Sequence, residues 1–214
     1  MKSRFLLLLL ALVPLFANAA PDVATPVPAE GTDYVVIADG KPYAPLDGKV
    51  EVVEVFGYTC IHCAHFQPVV SAWQKKQPSW VRFTPVPAAF GGYWTTYARA
   101  YYAAAKLRVL AKTHDATFKA LHETGSLPIQ NASNEEVAKF YAGYGADPKA
   151  FVAAMQSPAT NLLLERSTQF ATASGVEGTP TLIVNGKYRV KGSNFDDSLR
   201  ITDYLVAKER AAGK

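Results

Sequence analysis

Cysteine is scarce in this chain: 214 residues hold two, Cys60 and Cys63. With no second pair, the chain lacks the four-ligand set of an ordinary structural zinc site. It also lacks the disulfide framework of a small stapled domain. No block of like charge stands out, so no nucleic-acid partner is expected. Beyond the N-terminus there is no apolar run approaching the roughly 20 residues that span a bilayer. Internal repeats are absent, and so is low-complexity sequence beyond the N-terminal lead-in. A chain of this length buries a core without crosslinks. Two cysteines in an exported protein of this size therefore point to chemistry rather than to stapling.

Export is read from residues 1–19. Lys2 and Arg4 precede the apolar run Phe5 to Val13, Pro14 breaks it, and Ala17-Asn18-Ala19 ends it with small residues. This is the pattern of a cleaved secretory signal peptide. Cleavage after Ala19 leaves 195 residues and lowers the net charge from +4 to +2, because Lys2 and Arg4 are lost and no acid is. Residues 20–31, with Pro21, Pro26 and Pro28, read as a mobile lead-in.

Further along, Tyr34 to Ile37 and "VEVVEVF", Val50 to Phe56, read as strands. A helix is expected from within the cysteine motif to about Gln77, with Ala64, Phe66, Val69, Val70 and Trp73 at helical spacing. Trp80 to Ala88 is the next strand, and Pro85 and Pro87 predict that its pairing stops early. Helical patterns follow. Tyr97, Tyr101, Ala104 and Ala105 share one face, and Phe118 and Leu121 share another. Ser133 to Glu136 and Asp147-Pro148 are helix starts, and "NLLLERSTQFATASGV" is a long helix ending near Gly175. "TPTLIVNGKYRVKG" predicts a hairpin turning at Asn185-Gly186, and a final helix covers Phe195 to about Ala211. This order predicts an α/β fold, one mixed sheet covered by helices, with a helical subdomain (91–161) inserted into it.

The motif "GYTCIHCAHF", Gly57 to Phe66, carries Cys60, Cys63, His62 and His65. Covalent haem attachment needs histidine directly after the second cysteine, and Ala64 stands there. For zinc, His114 and His122 lie at the wrong spacing to complete a finger. A Cys60–Cys63 disulfide closes so short a loop that it adds little stability, and at a helix start it is easily reduced. A redox centre fits best. The unpaired amides and dipole of the helix start favour a Cys60 thiolate, and His62 adds positive charge or a hydrogen bond. A favoured thiolate favours the reduced form, which makes the disulfide an oxidant. Cys63, one turn inward, is the less exposed partner.

With these residues, the chain resembles the DsbA family of bacterial periplasmic thiol–disulfide oxidoreductases. The resemblance rests on Phe56 to Cys63, on Glu54 in the preceding strand, on "AFGG" at Ala89 to Gly92, and on "GVEGTPTLIVNGKY" at Gly175 to Tyr188. It implies a thioredoxin fold formed by residues 32–90 and 162–214, with the inserted helical subdomain between them. Cys60 becomes the nucleophile, Cys63 its buried partner, and Pro180 a cis-proline facing the disulfide. Thr179 becomes the residue whose backbone pairs with bound substrate, and Glu54 an acid beneath the disulfide that helps move protons. The implied protein is a periplasmic oxidase of newly exported chains. It is a monomer without metal, flavin or nucleotide cofactor, reoxidised by a membrane quinone-linked partner of the DsbB type. A disulfide isomerase or reductase on the same fold is the alternative, followed by an exported metal-binding or other binding protein. Two positions depart from the family pattern: Ile61 stands where many members have proline, and Gln67 where some have an acid.

Overall fold

The computed structural model describes residues 26–213; residues 1–19, expected to be a signal peptide, and residues 20–25 of the lead-in lie outside them. Within them a five-stranded sheet is formed by β1 (Tyr34–Val36), β2 (Val50–Phe56), β3 (Val81–Pro87), β4 (Thr181–Val184) and β5 (Tyr188–Val190). Its strand order is β1-β5-β4-β2-β3. β2 and β3 are parallel, joined by helix α1 (Ile61–Lys76), and every other pairing is antiparallel. A parallel pair needs such a crossover, whereas β4 and β5 need only a turn. Asn185 and Gly186 supply that turn with φ of 51° and 67°. Lys187 donates to the Val184 carbonyl at 2.9 Å to close it.

All seven residues of β2 are buried. Their apolar side chains enter three clusters. Val50 and Val52 pack with α1 and the last helix α7 (Phe195–Ala212). Val53 and Val55 face Ala171 and Phe170 of α6 (Pro158–Ala173), and Phe56 joins the core of the helical block. That block lies between β3 and β4 in the chain. It comprises α2 (Tyr93–Lys106), α3 (Leu110–His122), α4 (Asn134–Ala142), α5 (Pro148–Met155) and α6. The chain position 161/162 falls inside α6, whose Leu164 packs in the helical core while Ala171 packs on the sheet.

Four expectations need correction. β3 pairs with β2 along its whole length, from Val50 opposite Val81 to Phe56 opposite Pro87. It is an edge strand, and the Ala88 amide donates to Phe56 at 2.7 Å. By alternation Pro85 and Pro87 turn their missing donors outward, where nothing needs them. Helix α6 starts at Pro158, three residues before Asn161, because Ser157 caps it and proline suits the first turn. Ala105 is exposed, off the face made by Tyr97, Tyr101 and Ala104. Residues 26–31 are tied down: the Pro26 carbonyl accepts from Arg200 at 2.9 Å and the Gly31 carbonyl from Lys191 at 2.8 Å.

Candidate active site

Cys60 is the N-cap of α1, with extended backbone at φ −87° and ψ 117°. It follows a tight turn, in which the Cys60 amide donates to the Gly57 carbonyl at 3.0 Å. That turn stands at the end of β2, so the strand delivers Cys60 to the rim of the sheet with a helix starting beneath it. Gly57 admits no side chain, because a Cβ there would lie 2.0 Å from the Trp94 ring. The Gly57 amide points at the Cys63 sulfur, 3.5 Å away. Cys63, one turn into α1, is fully buried, whereas Cys60 is partly exposed; the two sulfurs are not bonded to each other.

The Thr179–Pro180 peptide bond is cis. It brings the Thr179 carbonyl to 3.3 Å from the Cys60 sulfur. That carbonyl accepts only from the protonated thiol. The ionised sulfur is served by donors instead: the Cys63 thiol first, then the Thr179 side chain and the amides of Cys63 and His62. Against the cost of partial burial, these donors lower the Cys60 pKa from 9.0 to about 5. Burial, a hydrogen bond made to the ionised Cys60 and the charges of Glu54 and Cys60 push Cys63 strongly the other way. One sulfur of the pair is thus held as an anion and its partner as a thiol.

His62 serves Cys60 through its main-chain amide; its imidazole is exposed and lines a groove of about 260 Å³ with Phe66, Thr179, Pro180, Leu182 and Phe195. His65 is exposed as well. Glu54 is 1% exposed on β2. Burial, and after it the charge of Cys60, raises its pKa from 4.5 to about 8, so it is largely protonated at neutral pH. Gln67, buried on α1, donates to Ser71 at 3.0 Å and to Asp115 of α3 at 2.9 Å. Among the described residues no group of three or more His, Cys, Asp or Glu side chains is placed to hold a metal ion.

Sequence reasoning missed three residues. Glu51 is as buried as Glu54 yet is fully engaged, accepting from Arg82 at 3.0 Å, Thr84 at 3.1 Å and the Tyr43 amide at 2.7 Å. His114 and His122, considered only as zinc ligands, both reach Tyr58 in the turn before Cys60. Pairing across 56 and 64 residues leaves no local signal in the sequence.

An ionisable sulfur over a buried one, faced by a cis-proline at the rim of a mixed sheet, defines a thioredoxin-fold thiol–disulfide oxidoreductase. The thioredoxin family model matches residues 38–203. A DsbA crystal structure from Xylella fastidiosa superposes with a TM-score of 0.85 at 54% identity, covering 86% of this chain and 99% of that one. The thiol:disulfide interchange protein DsbA of Pseudomonas aeruginosa is 36% identical over the whole of both chains. That of Azotobacter vinelandii is 38% identical over 85% of each. The chain belongs to the DsbA family of thiol:disulfide interchange proteins, and it is a disulfide-donating oxidoreductase.

Proposed function

We propose that the Cys60–Cys63 disulfide passes to reduced exported proteins in the periplasm, with Cys60 as the attacked sulfur. A substrate thiolate attacks Cys60 Sγ, the Cys60–Cys63 bond breaks, and Cys63 leaves with the electron pair. A second substrate thiolate attacks the substrate sulfur of the mixed disulfide, and Cys60 leaves as a thiolate. The substrate loses two electrons and gains a disulfide; the enzyme gains the two electrons and keeps one proton, on Cys63.

The observation that carries this reading is the asymmetry of the two sulfurs. Cys60, with its pKa near 5, is a good final leaving group. Cys63, buried and resistant to ionisation, needs a proton as it leaves. Glu54, kept protonated at neutral pH chiefly by its burial, holds one, and once it ionises its charge favours a protonated Cys63, so it serves as the local proton source. Thr179 and Pro180 present a main-chain edge to the substrate beside Cys60. Exposed Ile61 directly follows Cys60, and exposed Phe90 and Tyr93 lean on Trp94, which covers Gly57, so apolar surface flanks the motif. That suits an unfolded chain better than a small thiol.

The reduced enzyme must return two electrons to an acceptor, and a membrane quinone-linked protein of the DsbB type fills that place. Residues 1–19 act as the signal peptide that brings the chain there. Incubating the oxidised protein with a reduced, unfolded protein containing two cysteines tests the reading. One substrate disulfide should form per enzyme, and Cys60→Ser and Cys63→Ser, neither of which can form the internal disulfide, should both abolish it; given the same substrate already disulfide-bonded, Cys63→Ser should form a mixed disulfide through Cys60. Unchanged oxidation by Cys60→Ser would remove the proposal. A disulfide potential near that of thioredoxin would favour the reductase alternative.

A further inference from the structure

The turn that carries Cys60 is gripped from outside the sheet. Tyr58, its second residue, is 2% exposed, and two histidines of α3 hold it at separate atoms. Nδ1 of His114 lies 2.7 Å from the Tyr58 hydroxyl. Nε2 of His122 lies 2.7 Å from the Tyr58 carbonyl oxygen. A carbonyl only accepts, so His122 carries its proton on Nε2 and donates it. The two histidines are eight residues apart on one helix, with Phe118 between them on the same face. The His114 ring also packs edge-on against Phe56, the last residue of β2, with centroids 5.2 Å apart. Burial lowers the His114 pKa to about 4, so it makes its contact as a neutral ring.

Tyr58 lies between the two groups that matter. On one side the Gly57 amide points at the Cys63 sulfur at 3.5 Å. On the other, Cys60 ends the turn 3.3 Å from the Thr179 carbonyl. A turn of four residues has few contacts of its own to fix its tilt. A reactive group must be held to within about 0.5 Å by its supporting shell. α3 is tied to α1 as well, through Gln67 and Asp115 at 2.9 Å. One helix of the inserted block therefore grips both arms of the motif, the turn before Cys60 and the helix after it.

We propose that His122 and His114 are positioning residues of the redox site: by fixing Tyr58 they set the placement of the Cys60 sulfur among its donors, and the helical insert thereby tunes the oxidant. The inference rests on the reading of Cys60 as the ionised sulfur, and it concerns a difference from the parent protein rather than the parent's own value. An ordinary thiol in the parent would strike the reading itself, whereas equal values in parent and variants would strike only the inference.

The test uses the full mature protein and two readouts: the ultraviolet titration of the Cys60 thiolate against pH, and the equilibrium of the disulfide with glutathione. His122→Leu removes the donor and keeps the bulk. It should raise the thiolate midpoint and weaken the oxidant by about fivefold, the size of one net hydrogen bond. His122→Gln, whose amide can donate to the same carbonyl, should recover most of both. A folded His122→Leu with parental midpoint and equilibrium would overturn the proposal, even if the protein were less stable. Equal shifts in the leucine and glutamine variants would overturn it too, since the donor would then be immaterial. Should His122→Leu fail to fold, His114→Phe decides. It keeps a ring against Phe56 and removes the nitrogen that meets the Tyr58 hydroxyl, and a raised midpoint supports the proposal while a parental one overturns it.

Discussion

Glu51 and Glu54 stand three residues apart on one strand, so they face opposite sides of the sheet. Glu51 meets a cation, a hydroxyl and two amides. Glu54 meets desolvation first and the charge of Cys60 second. Its pKa is raised above the unfolded value, so the folded protein resists ionising it. Stability is lost as pH rises from 4.5 towards 8 and does not return above that. Glu54→Gln should therefore match the parent near pH 4 and exceed it by roughly 2–4 kcal/mol above pH 8 in denaturant unfolding of the reduced form. The same variant should slow substrate oxidation at pH 7 by at least about tenfold, measured by stopped-flow, because Cys63 loses its proton source. Parental rates would remove Glu54 from the proton path. "VEVVEVF" makes both glutamates legible as acids in a strand, but not which one is satisfied. That depends on Arg82 and on the Tyr43–Ala44 segment, placed there by tertiary folding. The placement of a half-exposed Cys60, a buried Cys63 and a cis bond before Pro180 was legible, because short local motifs carry it. The role of the His62 side chain was not, since the amide of His62 rather than its exposed ring reaches the sulfur.

At the scale of elements, α1 begins without a side-chain cap: its N-cap is Cys60, the half-exposed sulfur of the pair. Ile61, at the first helical position, is 43% exposed. Cys60 already has the extended backbone that a following proline requires. Ile61→Pro should then raise stability by about 0.4–1 kcal/mol, chiefly by restricting the unfolded chain, and leave the thiolate midpoint within a few tenths of a unit. Differential unfolding and the pH titration check the two halves, and a clear loss of stability would mean that the start of α1 is not proline-ready. Most elements were legible from local pattern. β2 matches its expected bounds, the Asn185-Gly186 turn is present, and α4 opens on the capping box of Ser133 and Glu136. The misreadings share a cause. Pro85 and Pro87 look like breaks until β3 is known to be an edge strand, and Pro158 is a helix start only once Ser157 is seen to cap. Which side of an element has a neighbour is a property of the assembled sheet.

Across the whole molecule the redox state and the stability of the fold are one equilibrium. In the reduced protein Cys60 ionises near pH 5, against 9.0 for an unperturbed thiol. Between those values the folded chain has released a proton that the unfolded chain still holds. The reduced form therefore gains stability as pH climbs from 5 to 9 and loses it as pH falls back through 5. The disulfide form has no such thiol, while the desolvation of Glu54 is common to both forms and cancels. The reduced protein should melt above the oxidised protein at pH 7, and the gap should shrink towards pH 5; calorimetry of both forms across that range measures it. An oxidised form that melts higher at every pH would reverse the driving force assigned to this disulfide. The most direct test of the account is the ultraviolet titration of the reduced protein. The account predicts a single thiolate appearing with a midpoint near pH 5, absent in Cys60→Ser, and no second thiolate from Cys63 below the alkaline range. A midpoint at the ordinary cysteine value of about 8.5 would contradict it.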